Sequence, residues 1–207
     1  MKRPAAILLD CGGTLIHIDV DELHETLGIS KQHLRGSFQA ALTIEPRVDL
    51  AEAWCLLAGC PLDATAIFAS ALAAPGFYRF VDPTTHQVLG DLRSRGIRIG
   101  VVANGEGQLE EELRATGLKH LIDVSIDSQV VGKEKPDPSI FESACLLLGI
   151  SQSDTWFVGD DLINDFIGAS RAGFALSVLF DSEEIWSALP IARVTSLAQL
   201  LDMVDAC

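Results

Sequence analysis

An apolar run that stops at a single carboxylate constrains this chain more than any other feature. Residues 7–9 are Ile-Leu-Leu, and Asp10 follows them directly, before the turn-like sequence Cys11-Gly12-Gly13-Thr14. Continuous apolar runs are typical of central strands in parallel sheets, and open α/β sheets bind ligands beyond the carboxyl ends of their strands. We therefore expect Asp10 at the edge of a parallel sheet where ligands bind.

Similar apolar runs, rich in β-branched residues, recur along the chain and are separated by helix-like segments. Strands that alternate with helices predict a Rossmann-like α/β fold, in which right-handed crossovers place helices on both faces of a parallel sheet. At Asp82-Pro83 and Asp137-Pro138 an N-cap acid precedes a proline suited to the first helical position, so each pair predicts a helix start. The predicted strands cover residues 5–9, 98–103, 122–126, 155–158 and 175–180.

The segment between Leu15 and Phe80 shows helical periodicity and no convincing strand. Apolar residues recur at helical spacing over 20–27, 31–42, 50–57 and 64–72. We therefore predict two domains. Residues 1–16 and 81–207 form an α/β core, and residues 17–80 form a small all-helical domain inserted after the first strand.

Composition narrows the choice of partners. The 207-residue chain has a formal net charge of -14, which repels phosphate polymers and argues against nucleic-acid and anionic-membrane partners. Its five cysteines are odd in number and form no Cys-x-x-Cys pair, as expected in a reducing cytosol. The apolar run before Asp10 is too short for a membrane span or a signal-peptide core. These features favour a cytoplasmic protein and leave its state open between monomer and homodimer.

Two further segments are suited to binding an anion. The strand at 98–103 ends in Ala103-Asn104-Gly105, where backbone N–H groups and the Asn104 amide are potential donors. Lys135 directly precedes a proline-rich helix start, so an ammonium and a helix N-terminus converge there. Each segment alone is also explained by ordinary structure, the first as a strand-to-helix loop and the second as a solvated lysine.

A fourth segment is suited to binding a metal ion. Asp160 follows the strand at 155–158, and Asp165 enters the next helix. Carboxylates gathered on a tight turn are what hard divalent cations require, and Mg²⁺ is the natural occupant. Helix capping is the simpler explanation for the neighbouring Asp161 and Asn164.

The four segments resemble the catalytic motifs of the haloacid dehalogenase superfamily in order and approximate spacing. The first motif of that family is Asp-x-Asp-Gly-Thr-Leu, and residues 10–15 match it except at Gly12. Its third motif, Lys-Pro-Asp-Pro followed closely by phenylalanine, is matched from Lys135 to Phe141. The resemblance covers about residues 5–15 and 81–180.

The resemblance implies that the protein is a phosphatase of small phosphorylated metabolites. In such an enzyme Asp10 attacks the phosphoryl group in line, Lys135 balances its charge and Thr14 orients Asp10. Mg²⁺ is held by Asp10, by the backbone carbonyl of Gly12 and by Asp160, while Asp165 binds the metal or holds one of its ligands.

The same resemblance assigns the remaining parts of the site. The segments that line the phosphate are Gly12-Gly13 and Ala103-Asn104-Gly105. The helical insertion at 17–80 is similar to the cap domain of the family, which closes over the site and selects the substrate.

Two positions depart from the family pattern. Gly12 stands where a second aspartate serves as general acid and base, and Ala103 stands where a serine or threonine hydroxyl binds a phosphoryl oxygen. We therefore expect weakened or atypical catalysis, unless His17 or His24 compensates. The alternative is a catalytically inactive member with a binding or regulatory role.

Two other branches of the superfamily also lack an aspartate at the position of Gly12. Haloacid dehalogenases work without a metal, which the acids at 160–165 disfavour. Phosphonoacetaldehyde hydrolases keep Mg²⁺ but form a Schiff base on a cap lysine. Lys31 is the single lysine of the insertion, and polar Ser30 and Gln32 beside it indicate a solvated cation.

Overall fold

The computed structural model describes residues 2–42, 48–74 and 77–207, which form two compact units. The α/β unit comprises the chain up to Ile16 together with Val81–Ser182 and Trp186–Cys207. The helical unit comprises the described part of His17–Phe80 together with Glu183–Ile185. Within these described ranges, no helix has the length and apolar character needed to cross a lipid bilayer.

Short strands and helices alternate through most of the chain. The strands are β1 (Ala6–Leu9), β2 (His17–Ile18), β3 (Tyr78–Phe80), β4 (Arg98–Ala103), β5 (Val124–Asp127), β6 (Thr155–Gly159), β7 (Leu176–Phe180) and β8 (Arg193–Val194). The α-helices are α1 (Asp21–Leu27), α2 (Lys31–Leu42), α3 (Leu50–Leu57), α4 (Thr65–Leu72), α5 (Thr85–Ser94), α6 (Leu109–Ala115), α7 (Ser128–Val131), α8 (Pro138–Leu148), α9 (Gly168–Ala172) and α10 (Gln199–Asp205). A π-helical turn spans Leu162–Ile167.

The α/β unit is built on one six-stranded sheet with the strand order β5-β4-β1-β6-β7-β8. Every pairing in this sheet is parallel, and helices cover both faces. Each of the four residues of β1 is buried, as its apolar run predicts. The α/β fold and its five predicted strands are therefore confirmed, with strand ends shifted by at most two residues.

Helix α8 anchors the loop that carries Lys135 at the edge of the sheet. Its buried side chains lie on one face and pack against Leu8, Val102 and Phe157 of the sheet. Phe141 meets Phe157 edge to face, with ring centroids 5.0 Å apart. Burial of such a side chain contributes about 1.5–3 kcal/mol. Asp137 caps the helix by accepting a hydrogen bond from the Ser139 N–H, as predicted, so the preceding loop that carries Lys135 is anchored.

The other proline-based helix start was predicted too early. Asp82 does not cap α5, because its Oδ1 accepts hydrogen bonds from the N–H and the hydroxyl of Thr84. The Asp82 carbonyl accepts from the Thr85 N–H. These bonds close a turn over Pro83, and the helix begins at Thr85.

The helical unit contains the four predicted helices and one feature that was not predicted. Strands β2 and β3 pair antiparallel where the chain enters and leaves this unit. The expectation of an all-helical insertion was therefore wrong at its two ends. Strands of two and three residues are too short for alternation to distinguish them from a loop.

Candidate active site

The polar residues predicted to act together lie beyond neighbouring strands of the sheet. Strand β1 lies between β4 and β6, with Leu9 paired to Val101 on one side and Val158 on the other. Asp10 follows β1, Asp160 follows β6, and Ala103 ends β4. Because these strands are parallel, their carboxyl ends share one edge, which is where open α/β sheets bind ligands.

Lys135 is the centre of this group. Its side chain is 4% exposed, and Nζ donates to Asp10 Oδ1 at 2.5 Å and to Asp165 Oδ1 at 2.7 Å. Burial lowers the pKa of Lys135, but the charges of both carboxylates and their hydrogen bonds outweigh burial and raise the pKa above that of ordinary lysine. The side chain is therefore an ammonium ion that joins two carboxylates.

Asp165 lies deepest among the acids, at 1% exposure. Its Oδ1 accepts from Lys135, and its Oδ2 accepts from the Asp161 N–H at 3.0 Å. Burial raises the pKa of Asp165, Lys135 lowers it and Asp10 raises it again, and the balance is a pKa of about 7. The crowding of negative charge around Asp165 favours either a bound proton or added positive charge.

Asp10, Asp160 and Asp165 together could hold a metal ion. Each offers a carboxylate oxygen, and these oxygens lie within 4.8 Å of one another. Three carboxylates and the Lys135 ammonium give the cluster a formal charge of about -2, which a divalent cation neutralises. Hard oxygen donors in this number fit Mg²⁺.

The turn after Asp10 lies against Asp160, the acid that follows β6. The Cys11 carbonyl accepts from the N–H groups of Leu15 and Ile16, each at 2.9 Å. Gly13 has φ +83°, and a Cβ added there would collide with the Asp160 carboxylate. Only glycine therefore fits at this position. Gly12, half-buried on the same turn, is bridged to Ile16.

Thr14 has a different partner from the one expected. Its hydroxyl lies 3.5 Å from Asp160 Oδ1 and is directed to that carboxylate rather than to Asp10. Thr14 is fully buried, so its position is fixed by packing as well as by this contact. The hydroxyl therefore orients Asp160 and not Asp10.

The loop that follows β4, called the β4 loop, is hydrogen-bonded to neighbouring loops of the site. Asn104 Nδ2 donates to the Lys135 carbonyl at 2.9 Å, and the Lys135 N–H donates to Asn104 Oδ1 at 2.7 Å. The Gly105 N–H donates to Ser128 Oγ at 3.1 Å. Ala103 is 6% exposed and presents only a methyl group. Asn104 and Gly105 thus position Lys135 and the loop, and their direct contact with an anion stays a prediction.

Sequence reasoning missed a residue that organises this loop. Asp127 ends β5 and is 7% exposed. Its Oδ2 accepts from the N–H groups of Gly107 and Leu109, and its Oδ1 accepts from the Gln129 N–H. The signal was present, because Asp127 is another acid at the end of an apolar run.

The remaining acid of the fourth segment has a structural role, as predicted. Asp161 Oδ1 accepts from the N–H groups of Ile163 and Asn164, each at 2.7 Å. These bonds start the π-helical turn that brings Asp165 towards Lys135. Next to Asp10, burial raises the pKa of the Cys11 thiol well above its usual range, so Cys11 remains an unreactive thiol.

Candidate residues of the helical unit have partners of their own. His24 Nδ1 lies 2.7 Å from the Ile29 carbonyl and donates to it, and His17 packs against Phe80. Lys31 forms an exposed ion pair with Asp21 at 2.8 Å, which does not fit the desolvated amine of a Schiff-base enzyme.

Aromatic and arginine side chains of the insertion are further candidates for substrate contacts on residue type alone. Trp54 is fully buried and donates to the Leu34 carbonyl, so it is a core residue. Arg79 pairs with Asp19, and Tyr78 packs against Phe77. Arg47 lies outside the described residues.

Comparisons with known proteins agree with this geometry. Residues 4–173 match the family model described as haloacid dehalogenase-like hydrolase. A glyceraldehyde 3-phosphate phosphatase from Methanothermobacter thermautotrophicus is 37% identical over 102 residues, covering 49% of this chain and 45% of the relative. The mouse haloacid dehalogenase-like hydrolase domain-containing protein 3 is 33% identical over 161 residues, covering 72% of this chain and 63% of the relative.

A solved structure is similar over nearly the whole chain. The HAD phosphatase from Thermococcus onnurineus has a TM-score of 0.63 and 25% identity, covering 96% of this chain and 97% of that one. In contrast, the chain spans less than two thirds of the length of the two curated relatives. The family match over residues 4–173 takes in all four strand-end segments, and the chain belongs to the haloacid dehalogenase-like hydrolase family.

Proposed function

We propose that the protein is a magnesium-dependent phosphatase of small phosphorylated metabolites that acts through an aspartyl-phosphate on Asp10, with weakened catalysis. The observation that carries this proposal is the contact of Asp10 with the buried Lys135 ammonium, beside the carboxylates of Asp160 and Asp165. The names of the phosphatase relatives support it. A net charge of -14 disfavours polymeric phosphates and leaves small molecules.

The reaction follows from the chemistry of these groups. Asp10 attacks the phosphorus, a bond forms from its carboxylate oxygen, and the bond from phosphorus to the leaving oxygen breaks. Lys135 offsets negative charge on the transferring group. A magnesium ion held by Asp10 and Asp160, with Asp165 beside them, would supply further positive charge to that group. Water then attacks the aspartyl-phosphate, which releases phosphate and restores Asp10.

Two parts of the usual machinery are missing. Gly12 provides no acid for the leaving group and no base for the water, and a positioned acid or base contributes about 10²–10⁴ in rate. Ala103 provides no hydroxyl, and loss of one such donor costs about 10²–10³. If the two losses are independent, turnover falls by about 10⁴–10⁷. Formation and hydrolysis of the intermediate are both slowed.

The same two losses motivate a second candidate function. A protein that keeps the metal and phosphate sites but no longer turns over substrate would serve as a binding or regulatory protein. The intact Lys135 and acid cluster fits this candidate as well as it fits an enzyme. A metal-independent dehalogenase and a phosphonate hydrolase are less well supported, because of the three acids and the surface ion pair of Lys31.

Mass spectrometry of the intact protein separates the two candidates. We expect incubation with Mg²⁺ and an activated aryl phosphate to add one phosphoryl group to Asp10, and the adduct to accumulate because its hydrolysis is slow. The matched control is Asp10→Asn, which removes the nucleophile and keeps the shape. Absence of both adduct and turnover in the unaltered protein contradicts the enzymatic proposal and favours the binding protein.

The double variant Gly12→Asp with Ala103→Ser restores both missing groups. We expect it to turn over aryl phosphates faster than the unaltered protein, by up to about 10⁷-fold if the two groups act independently. Failure to recover turnover in a folded, Mg²⁺-binding double variant would mean that Gly12 and Ala103 are not what limits catalysis.

A further inference from the structure

We propose that the substrates of this site are acyl phosphates, mixed anhydrides of a carboxylic and a phosphoric acid, rather than phosphate esters of alcohols. This inference rests on the proposed function and specifies its substrate class. It follows from two arguments. The first is which hydrogen-bond partners the polar side chains near Asp10 have, and the second is how strongly different leaving groups need a proton.

Three polar side chains of the candidate site, those of Lys135, Thr14 and Asn104, are each bonded to another part of the site. The ammonium of Lys135 donates to Asp10 and Asp165. The hydroxyl of Thr14 is directed to Asp160, and the amide of Asn104 holds the backbone of Lys135. These contacts commit all three side chains to groups of the site itself, and Gly12 adds no side chain.

The acid cluster does not supply that proton either. Both oxygens of Asp165 accept hydrogen bonds, one from Lys135 and one from the Asp161 N–H, and the residue is 1% exposed. Asp10 is the nucleophile and Asp160 faces Thr14. These residues thus offer charge to the phosphoryl group, and none of them is committed to protonating the group that leaves.

The β4 loop also lacks a side-chain group that could protonate a leaving group. Ala103 contributes a methyl group, and the Gly105 N–H donates to Ser128 Oγ. Next along the loop, the N–H groups of Gly107 and Leu109 donate to Asp127. These groups of the loop therefore add neither a hydroxyl for the phosphoryl oxygens nor an acid for an alkoxide.

Leaving groups differ greatly in their need for a proton. A carboxylate has a conjugate-acid pKa of about 4 and a phenolate of about 10. An alkoxide resembles hydroxide, whose conjugate acid, water, has a pKa of about 16. A carboxylate is stable as an anion at neutral pH and leaves without help, whereas an alkoxide requires an acid in the transition state.

For an acyl phosphate the step balances with no proton transfer. A bond forms between the Asp10 carboxylate oxygen and phosphorus, the bond from phosphorus to the acyl oxygen breaks, and the electron pair leaves on the carboxylate. Water later adds to phosphorus, the bond to Asp10 breaks, and the proton of the water passes to solvent. No oxidant, reductant or further co-reactant is needed.

A series of three donors tests this inference. Acetyl phosphate, phenyl phosphate and propyl phosphate are each mixed with the full-length protein and Mg²⁺, and phosphorylation of Asp10 is followed by intact mass and peptide sequencing. We expect acetyl phosphate to react fastest and propyl phosphate at least about 10²-fold more slowly. Asp10→Asn is the control for acetylation or phosphorylation elsewhere.

The variant Gly12→Asp shows whether the missing acid is the cause. We expect it to speed the reaction with propyl phosphate by about 10²–10⁴-fold and the reaction with acetyl phosphate by less than about tenfold. Rates within tenfold for propyl and acetyl phosphate in the unaltered protein would overturn the inference, because another group must then protonate the leaving oxygen. An equal effect of Gly12→Asp on both donors would also overturn it.

Failure of the proposed function gives a different result. In that case no donor phosphorylates Asp10, acetyl phosphate included, and Asp10→Asn behaves like the unaltered protein. Phosphorylation by acetyl phosphate alone supports both proposals. Phosphorylation by all three donors at similar rates keeps the proposed function and rejects the substrate class.

Discussion

At the scale of single residues, Lys135 is what allows the buried acids of the site to coexist. Its Nζ is the hydrogen-bond donor to both Asp10 and Asp165, and its side chain is shielded from water. Breaking a buried ion pair by removing one partner costs about 3–5 kcal/mol, because the other charge stays buried. The residue therefore contributes to stability as well as to the proposed chemistry.

The variant Lys135→Met tests both contributions. We expect it to abolish phosphorylation of Asp10 and to lower the free energy of unfolding by about 3 kcal/mol at pH 8 without metal. The loss should shrink at lower pH, because burial raises the pKa of Asp165 and this carboxyl then binds a proton in the folded state. Urea unfolding at pH 5 and pH 8 measures this.

The matched control for that variant is Lys133→Met, which removes an exposed lysine from the same loop. Surface changes of this kind stay within about 0.5 kcal/mol. Equal losses of stability in the two variants would mean that the buried ion pairs of Lys135 contribute nothing.

Gly13 gives a second prediction at this scale. Gly13→Ala introduces a Cβ at φ +83° against the Asp160 carboxylate, so Asp160 must move. We expect Mg²⁺ affinity, measured by titration calorimetry, to fall by about 10- to 100-fold, as when a group that orients a metal ligand is changed.

Gly28→Ala is the control, since Gly28 has φ +68° and its added Cβ meets nothing within 4 Å. It carries the same backbone strain of about 1–2 kcal/mol without the collision. A Gly28→Ala protein that loses as much Mg²⁺ affinity as Gly13→Ala would contradict the role given to the Gly13 turn.

At the scale of elements, the sequence predicted which strands end at polar residues of the candidate site. It did not predict which hydrogen bonds join the loops after those strands. Continuous apolar runs located β1, β4 and β6, since buried parallel strands have that pattern wherever they occur. The pairing of Asn104 with the backbone of Lys135 joins two loops 31 residues apart along the chain. No local pattern reports such a contact, because it depends on the packing of β4 beside the loop before α8.

The partner of Thr14 was predicted incorrectly for a related reason. Proximity in sequence suggested Asp10, four positions away, but the turn directs the hydroxyl across to β6 and Asp160. The ribbon of β2 and β3 was missed because its strands lie 60 residues apart and are short. Sequence patterns thus located residues that the structure brings together, while tertiary hydrogen bonds determine the partner of each one.

Asp127 supports a prediction at the scale of elements, because it connects β5 to the loop after β4. In Asp127→Asn, an amide group replaces one acceptor oxygen, so at least one backbone N–H of Gly107, Leu109 or Gln129 loses its partner. We expect a loss of about 2 kcal/mol in urea unfolding, the range for hydrogen bonds to a charged group.

The control for that variant is Asp154→Asn, which changes an acid in a surface ion pair with Lys2. Exposed pairs of this kind contribute at most about 1 kcal/mol. If Asp127→Asn unfolds at the same urea concentration as the unaltered protein, the loop does not depend on Asp127.

At the scale of the whole molecule, the excess of acids makes stability depend on ions in two ways. A net charge of -14 creates repulsion throughout the chain, and any salt screens it. The cluster of Asp10, Asp160 and Asp165 adds local repulsion, which Lys135 offsets in part and a bound divalent cation would offset further. The first effect depends on ionic strength alone, whereas the second depends on which cation is present.

Thermal unfolding in MgCl₂ and in NaCl of equal ionic strength separates these effects. A ligand that binds only the folded state adds about 2.7 kcal/mol at a concentration 100 times its Kd. We therefore expect Mg²⁺ to raise the Tm beyond the matched NaCl solution, and the excess to saturate. In Asp160→Asn the excess should disappear while the response to NaCl stays. Equal Tm values in the two salts, or an undiminished excess in Asp160→Asn, would mean that the acid cluster does not bind Mg²⁺ and that its charge is balanced by Lys135 and bound protons alone.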